Sequence, residues 1–222
     1  MNVEELLFEI TDVLRIPVLV LALLELVMVI VELGMLTAEV SRRRTRGLAK
    51  LDRILDRASD ALKAKDHGRA IEILRPAAYS PWMTDVLEGL VHVHERNDAT
   101  DRISKRLAEF DLRSMRRLER TRVLVRMGPA LGLMGTLIPL SPALAGLSSG
   151  DVERLTENLR VAFGVTVVGL LVGALAYTAS LVRDRLYAQD YSDLEYAAAR
   201  LLPDEAPHPS TQPTPQTEAV PH

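Results

Sequence analysis

Met127–Leu147 reads MGPALGLMGTLIPLSPALAGL and holds neither an acid nor a base. A short polar break separates it from Val161–Val182, VAFGVTVVGLLVGALAYTASLV, which is equally free of charge. Each run is about twenty residues long, and at ~1.5 Å per residue that matches a hydrocarbon core of ~30 Å. A helix of this length in a water-soluble protein would keep a polar face, and these two keep none. They predict a membrane hairpin, and with it an all-α membrane protein.

Working outward, a third apolar run lies near the N-terminus. Ile16–Ala38, IPVLVLALLELVMVIVELGMLTA, is long enough to span a membrane but carries Glu25 and Glu32. Seven residues apart, the two carboxylates project from nearly one face of a helix. A glutamate at mid-bilayer depth costs roughly 2.5–3.5 kcal/mol on insertion scales, so it faces protein or water and not lipid. Glu25 and Glu32 are therefore read as ion-pathway residues or interhelix polar contacts. Glu32 is expected to snorkel and pair with Arg42 or its neighbours, and deeper Glu25 to meet a polar group on an adjacent helix.

Charge along the chain orients the three spans. Arg42, Arg43, Arg44 and Arg46 follow the first span, Arg113 to Arg126 precede the second, and Arg183 and Arg185 follow the third. The opposite flanks carry mainly acids: Glu4, Glu5, Glu9 and Asp12 at the N-terminus, and Asp151, Glu153 and Glu157 in the hairpin loop. The positive-inside rule then places the N-terminus outside and the C-terminus in the cytoplasm of a plasma (inner) membrane protein. The arginines are read as topology determinants and headgroup contacts, not as a nucleic-acid surface.

The segments follow from this. Residues 1–15 form an amphipathic helix at the interface, 16–38 the first span, and 39–126 a helical cytoplasmic domain. The second span covers 127–147, an outer loop and helix start 148–160, the third span 161–182, and a cytoplasmic helix extension 183–202. In the cytoplasmic domain, Leu48, Leu51, Ile54, Leu55, Ala58 and Leu62 form one apolar stripe, and His67-Gly68 is expected to end that helix. Ser80-Pro81 opens a further helix, and a long one is expected from Asp101 into the second span. Pro129, Pro139 and Pro142 should kink or locally open the second span. Gly128, Gly132 and Gly135 let another helix approach closely, and the third span passes Gly164, Gly169 and Gly173.

The composition excludes several chemistries. With no cysteine there is no disulfide or thiolate. The acidic N-terminus is the opposite of a signal-peptide n-region. His67, His92 and His94 lack convergent acids at metal spacing, so no metal or other cofactor is expected. No nucleophile–base set or phosphate loop is present, and an enzyme is not expected.

Gly128–Thr136, GPALGLMGT, resembles the second-span signature of the MotA/TolQ/ExbB proton channel family. Val165–Leu170, VTVVGL, resembles that family's third-span pattern. Asp66–Leu74, DHGRAIEIL, with the later Leu87–Leu90, LEGL, is similar to the cytoplasmic helical hairpin of ExbB and TolQ relatives. Together with the order of spans, the resemblance covers roughly residues 16–200. It implies a homopentamer whose second and third spans line a central pore, holding two copies of a single-span subunit of the ExbD/TolR/MotB kind with a membrane aspartate. Ion passage, of protons or sodium, would drive rotation or force on that partner. The resemblance makes Thr136 and Thr166 the pore-lining ion-pathway hydroxyls. It also departs from the family: where many ExbB and TolQ members carry a glutamate five residues before the threonine, this chain has Val161.

Read without the family, Thr136 and Thr166 could equally bond their own backbone one turn back. Simple counting puts Thr166 one to two turns nearer the outside than Thr136. The competing function is a non-conducting scaffold that recruits cytoplasmic partners. A solute transporter fits less well, since three spans offer no internal repeat. The stretch from Pro203 is rich in proline and polar residues, without an apolar period, and is read as a disordered tail. Truncation after Leu202 is expected to leave the assembled state unchanged, which native mass spectrometry in detergent would check.

Overall fold

A computed structural model describes residues 3–202 apart from 45, 95, 97 and 149. The tail reading therefore lies outside the described residues. Within them every element is helical and no strand occurs: α1 Val3–Arg43, α2 Leu48–Lys63, α3 His67–Leu74, a 3-10 turn Arg75–Ala77, α4 Pro81–Val93, α5 Ala99–Ser148 and α6 Val152–Leu201. Three of these, α1, α5 and α6, are long and apolar enough to cross a membrane.

Helix boundaries correct several expectations. From Val3 on, the segment expected as an interfacial helix and the first span are one helix, with Pro17 inside it. Loss of one N–H does not divide a helix of 41 residues. The first long helix of the segment after α1 ends before His67-Gly68: α2 is capped by Ala64, and Lys65 takes the left-handed conformation (φ 58°). Asp66 then caps α3, accepting a hydrogen bond from the Arg69 N–H at 2.9 Å. Ser80 caps α4 as expected, accepting from Met83 at 3.2 Å with Pro81 at the first helical position. Pro129, Pro139 and Pro142 all lie inside an uninterrupted α5.

The turn between α5 and α6 satisfies both helix ends at once. The Asp151 N–H reaches back to the Gly146 carbonyl (2.8 Å) and the Gly150 N–H to that of Leu147 (3.1 Å). Gly150 supplies the left-handed conformation this closure needs (φ 79°). Asp151 then caps α6, its carboxylate accepting from the Arg154 N–H at 3.0 Å.

The chain forms two compact units. One combines α1 with Glu109–Tyr191. Along α1 its buried positions step by four and three: Val18, Ala22, Glu25, Val29, Leu36 and Arg43. Half-buried Glu32 and Glu39 fill the gaps in this heptad series. Val29 packs with Leu124, Val172 and Ala176, and Val18 packs with Leu131 and Ile138. The opposite faces stay apolar and exposed, as at Ile16, Leu23, Ile30, Leu133 and Val167. Helices apolar all round suit lipid or neighbouring helices, not water.

The other unit combines Gly47–Ala108 with the described residues 192–202. Its core holds Leu55 and Leu62 of α2, Leu74 of α3, Met83 and Leu90 of α4, Ile103 of α5 and Leu194 of α6, all nearly inaccessible. Polar ties from the end of α6 hold its rim: Tyr196 donates to Asp52 at 2.7 Å, and Arg200 to Asp56 at 2.6 Å. Asp98 accepts from Arg102 and Arg96, and these bonds draw its carboxyl down to about 2.

Candidate ion pathway

Two constructions stand out in the first unit: a glycine seam between α5 and α6, and a buried ionic cluster that adds α1. The seam is built from backbone. A Cβ added at Gly169 would strike the Gly128 carbonyl oxygen and lie 2.8 Å from the Gly132 Cα. One added at Gly128 would lie 2.7 Å from the Gly169 oxygen and 3.0 Å from the Gly173 nitrogen. Gly135 faces the Val165 side chain, and Gly173 faces the Pro129 ring. Of the glycines singled out by sequence, Gly128, Gly132, Gly169 and Gly173 thus meet one another, Gly135 meets Val165 and Gly164 meets nothing within 4 Å; the seam exists because its glycines carry no side chain.

Thr166 sits on this seam. Its Oγ1 lies 3.2 Å from the Gly132 carbonyl oxygen across the helix pair and 3.1 Å from the Ala162 carbonyl oxygen of its own helix. A hydroxyl has one proton, so the two carbonyls share it. Thr136 donates to Leu133 of its own helix at 2.7 Å. Both hydroxyls spend their donor on backbone, as the plain reading of buried threonine anticipates. Their acceptor lone pairs remain, and both side chains are only half-buried in the single chain. The expected depths are reversed. Because α6 begins at Val152, Thr166 lies opposite Gly132, about one turn farther from the hairpin turn than Thr136.

At the other end of the unit, away from the hairpin turn, Arg183 of α6 is completely buried. Its guanidinium bonds the Glu32 carboxylate, the Thr121 hydroxyl at 2.8 Å and the Glu32 backbone carbonyl at 3.2 Å. Glu39 lies 3.5 Å from its Nε, an ionic contact longer than a good hydrogen bond. Arg117 of α5 stands 3.9 Å from Glu32. One heptad along α6, Asp190 accepts from Arg43 at 2.6 and 3.3 Å and from Arg46 at 2.9 Å. Taking one partner out of such a buried pair costs about 3–5 kcal/mol, because the other charge is left without compensation.

This cluster corrects two expectations. Glu32 does not pair with Arg42 or its neighbours; Arg183 and Arg117 take it, and Arg43 turns to Asp190. Several flanking arginines are therefore internal partners in addition to being charges beside a span. Sequence reasoning misses Asp190, although it repeats Arg183 at a step of seven, with Tyr187 and Leu194 on the same buried stripe. It also misses Arg15 and Asn158, joined at 3.0 Å between α1 and α6. Glu25 is buried, at 8% exposure, and its Oε2 has no hydrogen-bond partner among the described residues. The polar neighbour expected for it is not found there.

Three apolar helices, two of them closed on each other by backbone contact, define a multi-pass helical membrane protein. The model of the MotA/TolQ/ExbB proton channel family matches residues 48–195, about two thirds of the chain, and the chain belongs to that family. The match covers α2 to α5 and most of α6, and α1 lies outside it. Among curated proteins none matches the chain.

Substituting the seam glycines should separate packing from propensity. Gly169→Ala drives a methyl onto backbone that cannot rotate away, and a loss of about 1–3 kcal/mol is expected. Gly164→Ala meets nothing within 4 Å and should be neutral or stabilising by up to about 1 kcal/mol. Thermal unfolding of both variants in detergent checks the contrast.

Proposed function

We propose that this chain is the ion-conducting subunit of a membrane motor, passing protons or sodium ions along α5 and α6 and coupling them to a single-span partner. The observation that carries the reading is the seat of Thr166 on the glycine seam, where its hydroxyl bridges α6 to the Gly132 carbonyl. A partner aspartate moving in a dry pore needs polar groups that add no charge of their own. The threonines have committed their protons to carbonyls, so what they offer is lone pairs. Lone pairs suit a protonated carboxyl, a hydrated proton or a small cation, and not a bare carboxylate.

Assembly follows from the same surfaces. The exposed apolar faces of α5 and α6 are open to neighbouring copies as well as to lipid, and family membership supports several copies around an axis, five in the family's pattern. The clustering of Arg43, Arg46, Arg117 and Arg183 at one end of the unit supports that end being cytoplasmic, with the hairpin turn outside. Helix α5 holds 50 residues, about 75 Å at 1.5 Å each, so it reaches well beyond a ~30 Å core. The helical segment between α1 and α5 then lies on the cytoplasmic side.

The test is the double variant Thr136→Val with Thr166→Val, which keeps the β-branched shape and removes both hydroxyls. With each polar contact worth about 1–1.5 kcal/mol, ion flux in vesicles holding the protein and its partner should fall roughly ten- to a hundredfold. Assembly, followed by pull-down, should be unchanged. Full flux in the double variant would leave the threonines as packing residues, and absence of flux even with the unaltered chain would favour the non-conducting scaffold.

A further inference from the structure

Glu25, Glu32 and Glu39 occupy one position of the α1 heptad in three successive repeats. The series begins with apolar Val18, so the acids are a departure within an otherwise hydrophobic seam. Two of the three are accounted for. Glu32 bonds Arg183 and has Arg117 beside it. Glu39 lies against Arg183 and accepts from the Tyr187 hydroxyl at 3.4 Å. Glu25 has nothing equivalent, although it is more than nine-tenths buried and its Oε2 is wholly covered.

Its surroundings explain why. Glu25 falls between two apolar clusters, Val18 with Leu131 and Ile138 on one side and Val29 with Leu124, Val172 and Ala176 on the other. Among the groups that could face it, α5 offers only Arg126 between Leu124 and Ile138, and that residue is exposed. On α6, Val161–Val182 contains no charged residue. On α1 itself the next titratable group inward is Glu32, one heptad or about 10 Å away and already bound to Arg183. A carboxylate in this place would have neither cation nor donor, and a carboxyl bearing a proton needs no counter-charge. A purely architectural acid would be paired, as its two heptad mates are.

We propose that Glu25 is a proton-exchanging site within the first span: it holds one proton in the packed seam and releases it to water when the seam loosens. The ligand class is the proton itself, and the site is separate from the threonine seam. It also lies on the helix outside the family match, and it stands whether or not Thr136 and Thr166 line a pore. The balance is simple: the carboxylate and a proton from water give the neutral acid, and opening of the seam returns both.

The experiment uses the full chain in lipid vesicles and infrared difference spectra between wild type and Glu25→Gln. The expected result is a carbonyl stretch of a protonated carboxylic acid that is absent from E25Q, shifts in heavy water and fades at alkaline pH. A hydrophobic carbodiimide should modify Glu25 in the same membranes and leave salt-bridged Glu32 untouched. No protonated-acid band in the difference spectrum would overturn the proposal, since Glu25 would then be ionised. A band indifferent to pH and heavy water would overturn it equally, as the mark of a locked neutral acid. Should E25Q fail to assemble, Glu25→Asp takes its place: a displaced acid band supports the proposal, and an unmoved or missing one overturns it.

Discussion

The backbone contact between α5 and α6 is the constraint on which the membrane unit depends. Helices meeting through larger side chains keep their backbones apart, and the glycine seam brings the Gly169 and Gly128–Gly132 backbones into contact. Without it the hydroxyl of Thr166 could not reach the Gly132 carbonyl. The Schellman turn at Gly150 and the cap at Asp151 fix the register of that contact from one end. The seam therefore sets both where the helices touch and which polar atoms are left to face outward.

A second constraint acts at the opposite end. Arg183 is buried where α1, α5 and α6 converge, and it bonds Thr121 and Glu32 together. Hydrophobic packing between helices in lipid is weakly directional, because the surrounding tails are as apolar as the core. An ion pair surrounded by apolar helices is directional, and it penalises any shift of α1 that would leave Arg183 or Glu32 alone. With Asp190 repeating the arrangement one heptad away, α1 is held in a single register at this end. Nearer its middle the same helix carries Glu25, whose buried Oε2 has no hydrogen-bond partner among the described residues, so its polar anchoring is uneven.

Much of this is readable in the residues. The three spans, the seam glycines, the Ser80 cap and the start of α6 near Asp151 follow from hydropathy, side-chain size and capping chemistry, each of which acts over a few residues. The relative depth of Thr136 and Thr166 is not readable from span counting, because the charged run Glu153–Arg160 hides the first two turns of α6. Arginines beside a span look like headgroup contacts in one dimension. The step of four and three that links Arg183, Tyr187, Asp190 and Leu194 marks Arg183 as interior. The break expected between residues 15 and 16 does not form, and Pro17 lies inside a long helix that absorbs the loss of one hydrogen bond. The partner of Glu32 depends on three helices meeting, which no local pattern encodes.

In the motor proposed for this chain, α5 and α6, joined at the glycine seam, form the ion-facing surface of an assembly whose periphery is α1. Electron cryomicroscopy of the full chain in lipid nanodiscs tests this most directly. The predicted result is a ring of copies with α5 and α6 of each around the axis, Thr136 and Thr166 turned toward it, and α1 on the perimeter. Single chains, or a ring whose axis is lined by α1, would contradict it.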